Sequence, residues 1–136
     1  MTLRDSTYAT GNSILTWTGF ITSGLSLDAD AMTITLPDIS TYSILIKLNS
    51  DFTTASACDI RLTTWTASPT GAFTASADVS MDYRVWDANA ETYLISNYMN
   101  DTPGYRVRFV VTNNCAVNAV FSASSLSRMF ITKATL

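Results

Sequence analysis

Hydrophobic and polar residues alternate along most of this chain with a period of two, the spacing at which side chains fall on opposite faces of a β-strand. Between Ser13 and Thr22, Leu15, Trp17 and Ile21 share one face, with Thr16 and Thr18 opposite. Ala31-Met32-Thr33-Ile34-Thr35-Leu36 alternates until Pro37-Asp38 interrupts it. From Tyr42 to Leu48 the pattern puts Tyr42, Ile44, Ile46 and Leu48 inward, and Ser43, Leu45 and Lys47 outward. Cys58, Ile60 and Leu62 read as inward, against Asp59, Arg61, Thr63 and Trp65. The next apolar row, Val79, Met81, Tyr83 and Val85, is expected inward, with Ser80, Asp82, Arg84 and Trp86 outward.

Turn chemistry punctuates these runs. Ser68-Pro69-Thr70-Gly71 carries Pro at the second turn position and Gly at the fourth. Asp87-Ala88-Asn89-Ala90 is a polar loop leading into a weaker strand from Thr92 to Ser96, and Asn100-Asp101-Thr102-Pro103-Gly104 is a further turn. Tyr105, Val107, Phe109 and Val111 then alternate with Arg106 and Arg108. Asn113-Asn114 tolerates positive φ and predicts a tight hairpin, the chain returning through Val117, Ala119, Phe121 and Ala123. Arg128 to Lys133 forms a last strand. Eight or nine short strands with frequent turns and no helical period predict an all-β antiparallel sandwich, jelly-roll-like in type, although a closed barrel also fits. No linker, charge block or internal repeat divides the sequence, so residues 1–136 are expected to form one domain, with residues 1–12 available as an extended N-terminal arm.

Composition strengthens the β reading. The chain is 47% hydrophobic and 14% charged, against roughly 25% charged in typical domains. It has one Glu (Glu91), two Lys (Lys47, Lys133), no Gln and no His. Glu, Lys and Gln are the usual fillers of helix surface, whereas the Thr that replaces them suits a pleated face. A net charge of −3 with scattered arginines offers no footprint for nucleic acid. No apolar run approaches the ~20 residues of a membrane-spanning helix. With Met1 as the start, the N-terminus lacks a secretory leader, and Cys58 and Cys115 are expected as buried free thiols, an inter-strand disulfide being the alternative.

The residues for catalysis are missing. Ser or Cys nucleophiles usually need a His base, and neither lysine has a Ser partner in a recognisable motif. Most carboxylates (Asp28, Asp38, Asp51, Asp87, Asp101) lie in turn-like contexts that explain them better than acid–base work. No glycine-rich phosphate loop precedes a Lys, and two Cys without His cannot make a zinc site. Asp28-Ala29-Asp30 and Asp87 to Glu91 have a faint calcium character that turn chemistry explains better. The chain is therefore expected to have no catalytic residues, no metal and no cofactor. Asn100-Asp101-Thr102 matches a glycosylation sequon that is expected to be incidental without an export signal.

Aromatic residues supply the candidate contacts. Trp17 and Tyr83 read as core. Trp65 and Trp86 fall on outward phases, and Tyr93 and Tyr98 follow among Asp87 and Asn89. These six, Trp65, Trp86, Asp87, Asn89, Tyr93 and Tyr98, are candidates for a subunit interface or for a platform that stacks a sugar ring. Leu45, Trp65, Trp86 and Val110 are expected to leave outward apolar surface that self-association would hide.

In length, Ser/Thr/Asn-rich composition and strand pattern, the whole chain resembles small β-sandwich subunits of bacteriophage virions: capsid decoration proteins, head fibres and tail-fibre tips. The resemblance implies a non-enzymatic structural protein of the virion, assembled in the host cytoplasm as a homo-oligomer, a trimer in particular. Its partners would be other virion proteins and, for a fibre tip, a host glycan. The competing readings are a cytosolic lectin-like carbohydrate-binding module and a secreted or pilus-type subunit lacking its leader.

Overall fold

The structure, a computed structural model, describes residues 1–19, 25–123 and 126–133, apart from the side chains of Ala77 and Asp78. The predicted positions Ile21 and Thr22 lie outside the described residues. The strands are β1 (Thr2–Leu3), β2 (Thr7–Tyr8), β3 (Gly11–Ile14), β4 (Trp17–Thr18), β5 (Ser26–Leu27), β6 (Ile34–Leu36) and β7 (Ser40–Asn49). They continue with β8 (Cys58–Ala67), β9 (Thr74–Arg84), β10 (Glu91–Asn100), β11 (Tyr105–Asn113), β12 (Ala119–Val120) and β13 (Arg128–Lys133). All pairings among the described residues are antiparallel.

Two sheets face each other. One has the order β10-β7-β13-β1-β4, and the other β5-β6-β11-β8-β9 with β3 also on β11. A short β12-β2 pair closes one side. From β7 onward the chain passes repeatedly between the sheets, which is how a jelly roll buries alternate residues from both. Tyr42, Ile44, Ile46, Leu48, Leu94 and Met129 of the first sheet meet Ile34, Ile60, Leu62, Val107, Phe109 and Val111 of the second in one core. Trp17 on β4 packs edge-on against Phe109 on β11, ring centroids 6.4 Å apart, and so ties the two layers together. The expected all-β sandwich is observed, its strands more numerous than eight or nine because several are two-residue pieces.

The inward rows read from β7, β8 and β11 are buried except at the strand starts, where Cys58 and Tyr105 are half-buried. Other expectations are overturned. Residues 1–12 form no separate arm: β1 pairs with β13 and β4, β2 with β12, and β3 with β11. The predicted Asn113-Asn114 hairpin does not form. β11 is a central strand paired with β3, β6 and β8, while the chain beyond it goes to β2. Asn113 turns its amide inward instead, donating to Tyr8 O (3.2 Å) and Val117 O (2.9 Å). Val110, expected outward and exposed, is 4% exposed, flanked in register by Ile14 and Thr63.

Cys58 and Cys115, expected as free thiols, form a disulfide. The β8–β11 register sets Asn113 opposite Ile60. Continuing the same pairing by two residues on each strand brings positions 58 and 115 together. That register joins segments far apart in sequence, which local patterning does not report.

The largest reversal concerns β9. Val79, Met81, Tyr83 and Val85, read as an inward row, are exposed, as is the supposedly buried ring of Tyr83. β9 is the edge strand of its sheet and lies against the edge of β10 rather than over the core. Its inward phase therefore meets open backbone groups, and polar side chains satisfy them. Ser80 Oγ donates to Tyr93 O and Arg84 to Glu91 O at 2.8 Å, while Thr92 Oγ1 adds a side-chain bond to Asp82 at 3.1 Å.

Candidate interaction surface

The six residues singled out by sequence do not converge. Trp86 is fully buried. It continues the phase of Ser80, Asp82 and Arg84, which the structure turns inward, and it stacks on Phe52 at 5.5 Å. Its indole N–H donates to Cys58 O (3.1 Å), and its backbone N–H to Thr54 Oγ1 (2.9 Å). Such a ring offers no face to a sugar. Asp87 and Asn89 belong to the adjoining turn. Asp87 O accepts from Ser50 Oγ, and Asn89 adopts φ +68°, the left-handed conformation Asn tolerates. Trp65 lies half-buried on the outward phase of β8, across from Arg108 and Ala75.

Tyr93 projects from the outer face of β10 and donates to the Glu91 carboxylate, which also meets Lys47 Nζ at 3.2 Å. The Tyr93 bond, helped by Lys47, holds the Glu91 carboxyl below the ordinary carboxylate range. Tyr98 occupies the inward phase of the same strand, packed against the core, and burial pushes its phenol up. The six are thus divided between the core, a turn and the outer faces of two different sheets.

The two acidic runs are turns. Asp30 accepts from the N–H groups of Met32 and Thr33 and from Thr33 Oγ1, at 2.7–3.0 Å. Among the described residues no three His, Cys, Asp or Glu side chains group closely enough to hold a metal ion. The sequon residue Asn100 is buried, its amide donating to Asp38 O at 2.8 Å, so it is inaccessible to a glycosyl donor in the folded protein.

What the fold does assemble is an apolar stripe on the outer face of the five-stranded sheet. Ile95 of β10 pairs with Leu45 of β7, and Leu45 with Phe130 of β13. Ile95 is 77% exposed and Phe130 47%, and Met99 further along β10 is 76% exposed. Leu45, Ile95, Asn97, Phe130 and Thr132 line a shallow depression of about 270 Å³. One flank of the stripe is the row Tyr93–Lys47–Arg128, and the other is Asn97–Ser43–Thr132. An apolar centre with a polar rim is the usual make-up of a protein–protein contact. Beyond the β9–β10 edge, on the other sheet, Val79, Met81 and Tyr83 form a second exposed row. Sequence reading missed Ile95, Met99 and Phe130. The available signal was that β10 and β13 carry apolar residues on both phases, Leu94 beside Ile95 and Met129 and Ile131 around Phe130.

No protein-family model matches the chain, and no curated protein matches it in sequence. Among solved structures it is similar to the crystal structure of murine APRIL at pH 8.5, with a TM-score of 0.70 and 13% identity over 98% of this chain and 94% of that one. At that identity the likeness establishes a shared jelly-roll β-sandwich and nothing of activity.

Proposed function

We propose that this domain is a non-enzymatic assembly subunit that docks a second copy of itself on the outer face of the β10-β7-β13 sheet. The observation that carries this is the in-register stripe Ile95–Leu45–Phe130, which stands in water in the single chain. Exposed apolar surface gathered into one patch and rimmed by polar residues marks an association site. The stripe crosses three strands, about 10 Å, while the row from Val79 to Tyr83 runs about 13 Å along one strand. An isologous pair through either face leaves the other wet. Head-to-tail contact of one face on the other covers both, and such contacts form a ring when the rotation between neighbours closes. A trimer, which the virion resemblance implies, is the smallest such ring.

The finer reading is a component of a bacteriophage particle, in capsid decoration, a head fibre or a tail fibre, assembled in the host cytoplasm and contacting other virion proteins. Its support is the Ser/Thr/Asn-rich, Lys- and Glu-poor composition on a jelly roll of this size. The disulfide favours a second reading, an exported subunit, because such links persist in oxidising settings, although virion surfaces are among them. Light scattering tests assembly, since a mass near one subunit at micromolar concentration contradicts it. Capsid, portal or tail genes beside this one would support the particle reading, and secretion genes there would favour the exported subunit.

A further inference from the structure

We infer that the Cys58–Cys115 bridge closes on a domain that is already folded, so that it works as a staple added after folding rather than as a condition for it. Both cysteines are held in place by bonds that do not involve sulfur. Cys58 opens β8 in register with Arg84, and its carbonyl accepts the indole N–H of fully buried Trp86. Cys115 donates its N–H to Asn113 Oδ1 at 2.8 Å, and its carbonyl accepts from Thr10 Oγ1 at 2.7 Å. The neighbouring residues form a clip of their own. Asn114 donates through its backbone N–H to Asp59 O (3.1 Å) and through its amide to Asp59 Oδ2 (2.9 Å). Asn113, itself buried, ties the same loop to Tyr8 and Val117. The backbone around the cysteines, Cα atoms 5.2 Å apart, is therefore set by the sheet register and these side chains.

The oxidant is a small-molecule disulfide such as oxidised glutathione. Cys58 is half-buried and Cys115 fully so, which makes Cys58 the first to react. Its thiolate attacks the glutathione disulfide and releases one glutathione thiolate. The Cys115 thiolate then attacks Cys58 Sγ in the mixed disulfide and displaces the second. The two cysteines lose two protons and two electrons, and one glutathione disulfide becomes two thiols. A chain of this kind can fold and assemble where thiols stay reduced, and be stiffened on reaching an oxidising exterior. None of this depends on the self-association proposed above.

The test compares the dithiol protein, made and purified under reductant, with the oxidised one by circular dichroism, amide exchange and mass spectrometry after alkylation. The expected result is a cooperatively melting β-sandwich in both states, with oxidised glutathione linking the two thiols and leaving the spectrum unchanged. A dithiol protein that is unfolded, or a folded one whose thiols fail to link, would overturn the inference. The Cys58→Ala/Cys115→Ala protein, in which oxidation cannot occur, should give the same folded spectrum; loss of structure in that protein and in the dithiol form alike would count against it. Thr10→Val with Asn114→Ala removes two of the positioning bonds and keeps both thiols. Closure should slow several-fold in that variant, and an unchanged rate would refute the positioning role.

Discussion

Ile95 and Leu45 stand directly across from each other on β10 and β7, both pointing away from the core, with Phe130 on the far side of Leu45. Their alignment turns three separate side chains into one surface. Ile95→Asp places a charge at its centre without disturbing the buried phase of β10. The expected outcome is a fall in mass to a single subunit by light scattering at micromolar concentration, an association loss above about 2 kcal/mol. Fold stability should change by no more than about 0.5 kcal/mol, as for other exposed positions. Retention of the oligomer would move the interface elsewhere.

Trp86→Ala should behave in the opposite way. The ring is enclosed, stacked on Phe52 and bonded to Cys58 O, so truncation leaves a cavity and an unpaired carbonyl. Urea denaturation is expected to show a loss of about 3–5 kcal/mol in fold stability. A stable Trp86→Ala protein that merely dissociates would contradict the burial described for this ring.

Cutting the bridge should cost stability through the unfolded chain. Cys58 and Cys115 are separated by 57 residues, and the entropy of a closed loop of that size is worth about 4 kcal/mol. For a domain of this size that corresponds to a fall in Tm on the order of 10–15 °C. Calorimetry with and without reductant measures it, and a change of only a degree or two would mean that the reduced, unfolded chain keeps residual structure.

Acid sensitivity should trace to Asp59 and Asp30. The Arg61 guanidinium, with Asn114, holds the Asp59 carboxyl below its ordinary value. Burial works against ionisation of Asp30, but Thr33, the Met32 and Thr33 amides and Arg108 together outweigh it and lower its value too. A carboxyl lowered in the folded state binds fewer protons there than in the unfolded chain. It therefore stabilises the fold above the unfolded range, near ~4, and that stabilisation is lost as pH falls through the folded value. Urea midpoints from pH 7 down to pH 3 should fall in the wild type. The Asp30→Asn/Asp59→Asn protein should start lower at pH 7 and fall less. Parallel curves would exclude these two groups as the cause.

Local chemistry determined a good part of this protein. Period-two alternation fixed the buried rows of β7, β8 and β11, because a strand's two faces are set by its own backbone. Ser68–Gly71 and Asn100–Gly104 turn where their Pro and Gly require it, Gly104 with φ +83°. The scarcity of Glu and Lys already indicated sheet rather than helix. Alternation separates two faces, however, without saying which one is covered. β9 has a clear apolar row, yet β9 lies beside the β10 edge, so its polar phase turns in to satisfy that edge and Val79, Met81 and Tyr83 turn out. Trp86, two residues past the end of β9, continues that polar phase and turns inward with it. The meeting of Cys58 with Cys115, and of Ile95 with Leu45 and Phe130, depended on register between segments far apart in the chain. Register of that kind is decided by which strands the whole topology brings together, and only the tertiary structure contains it.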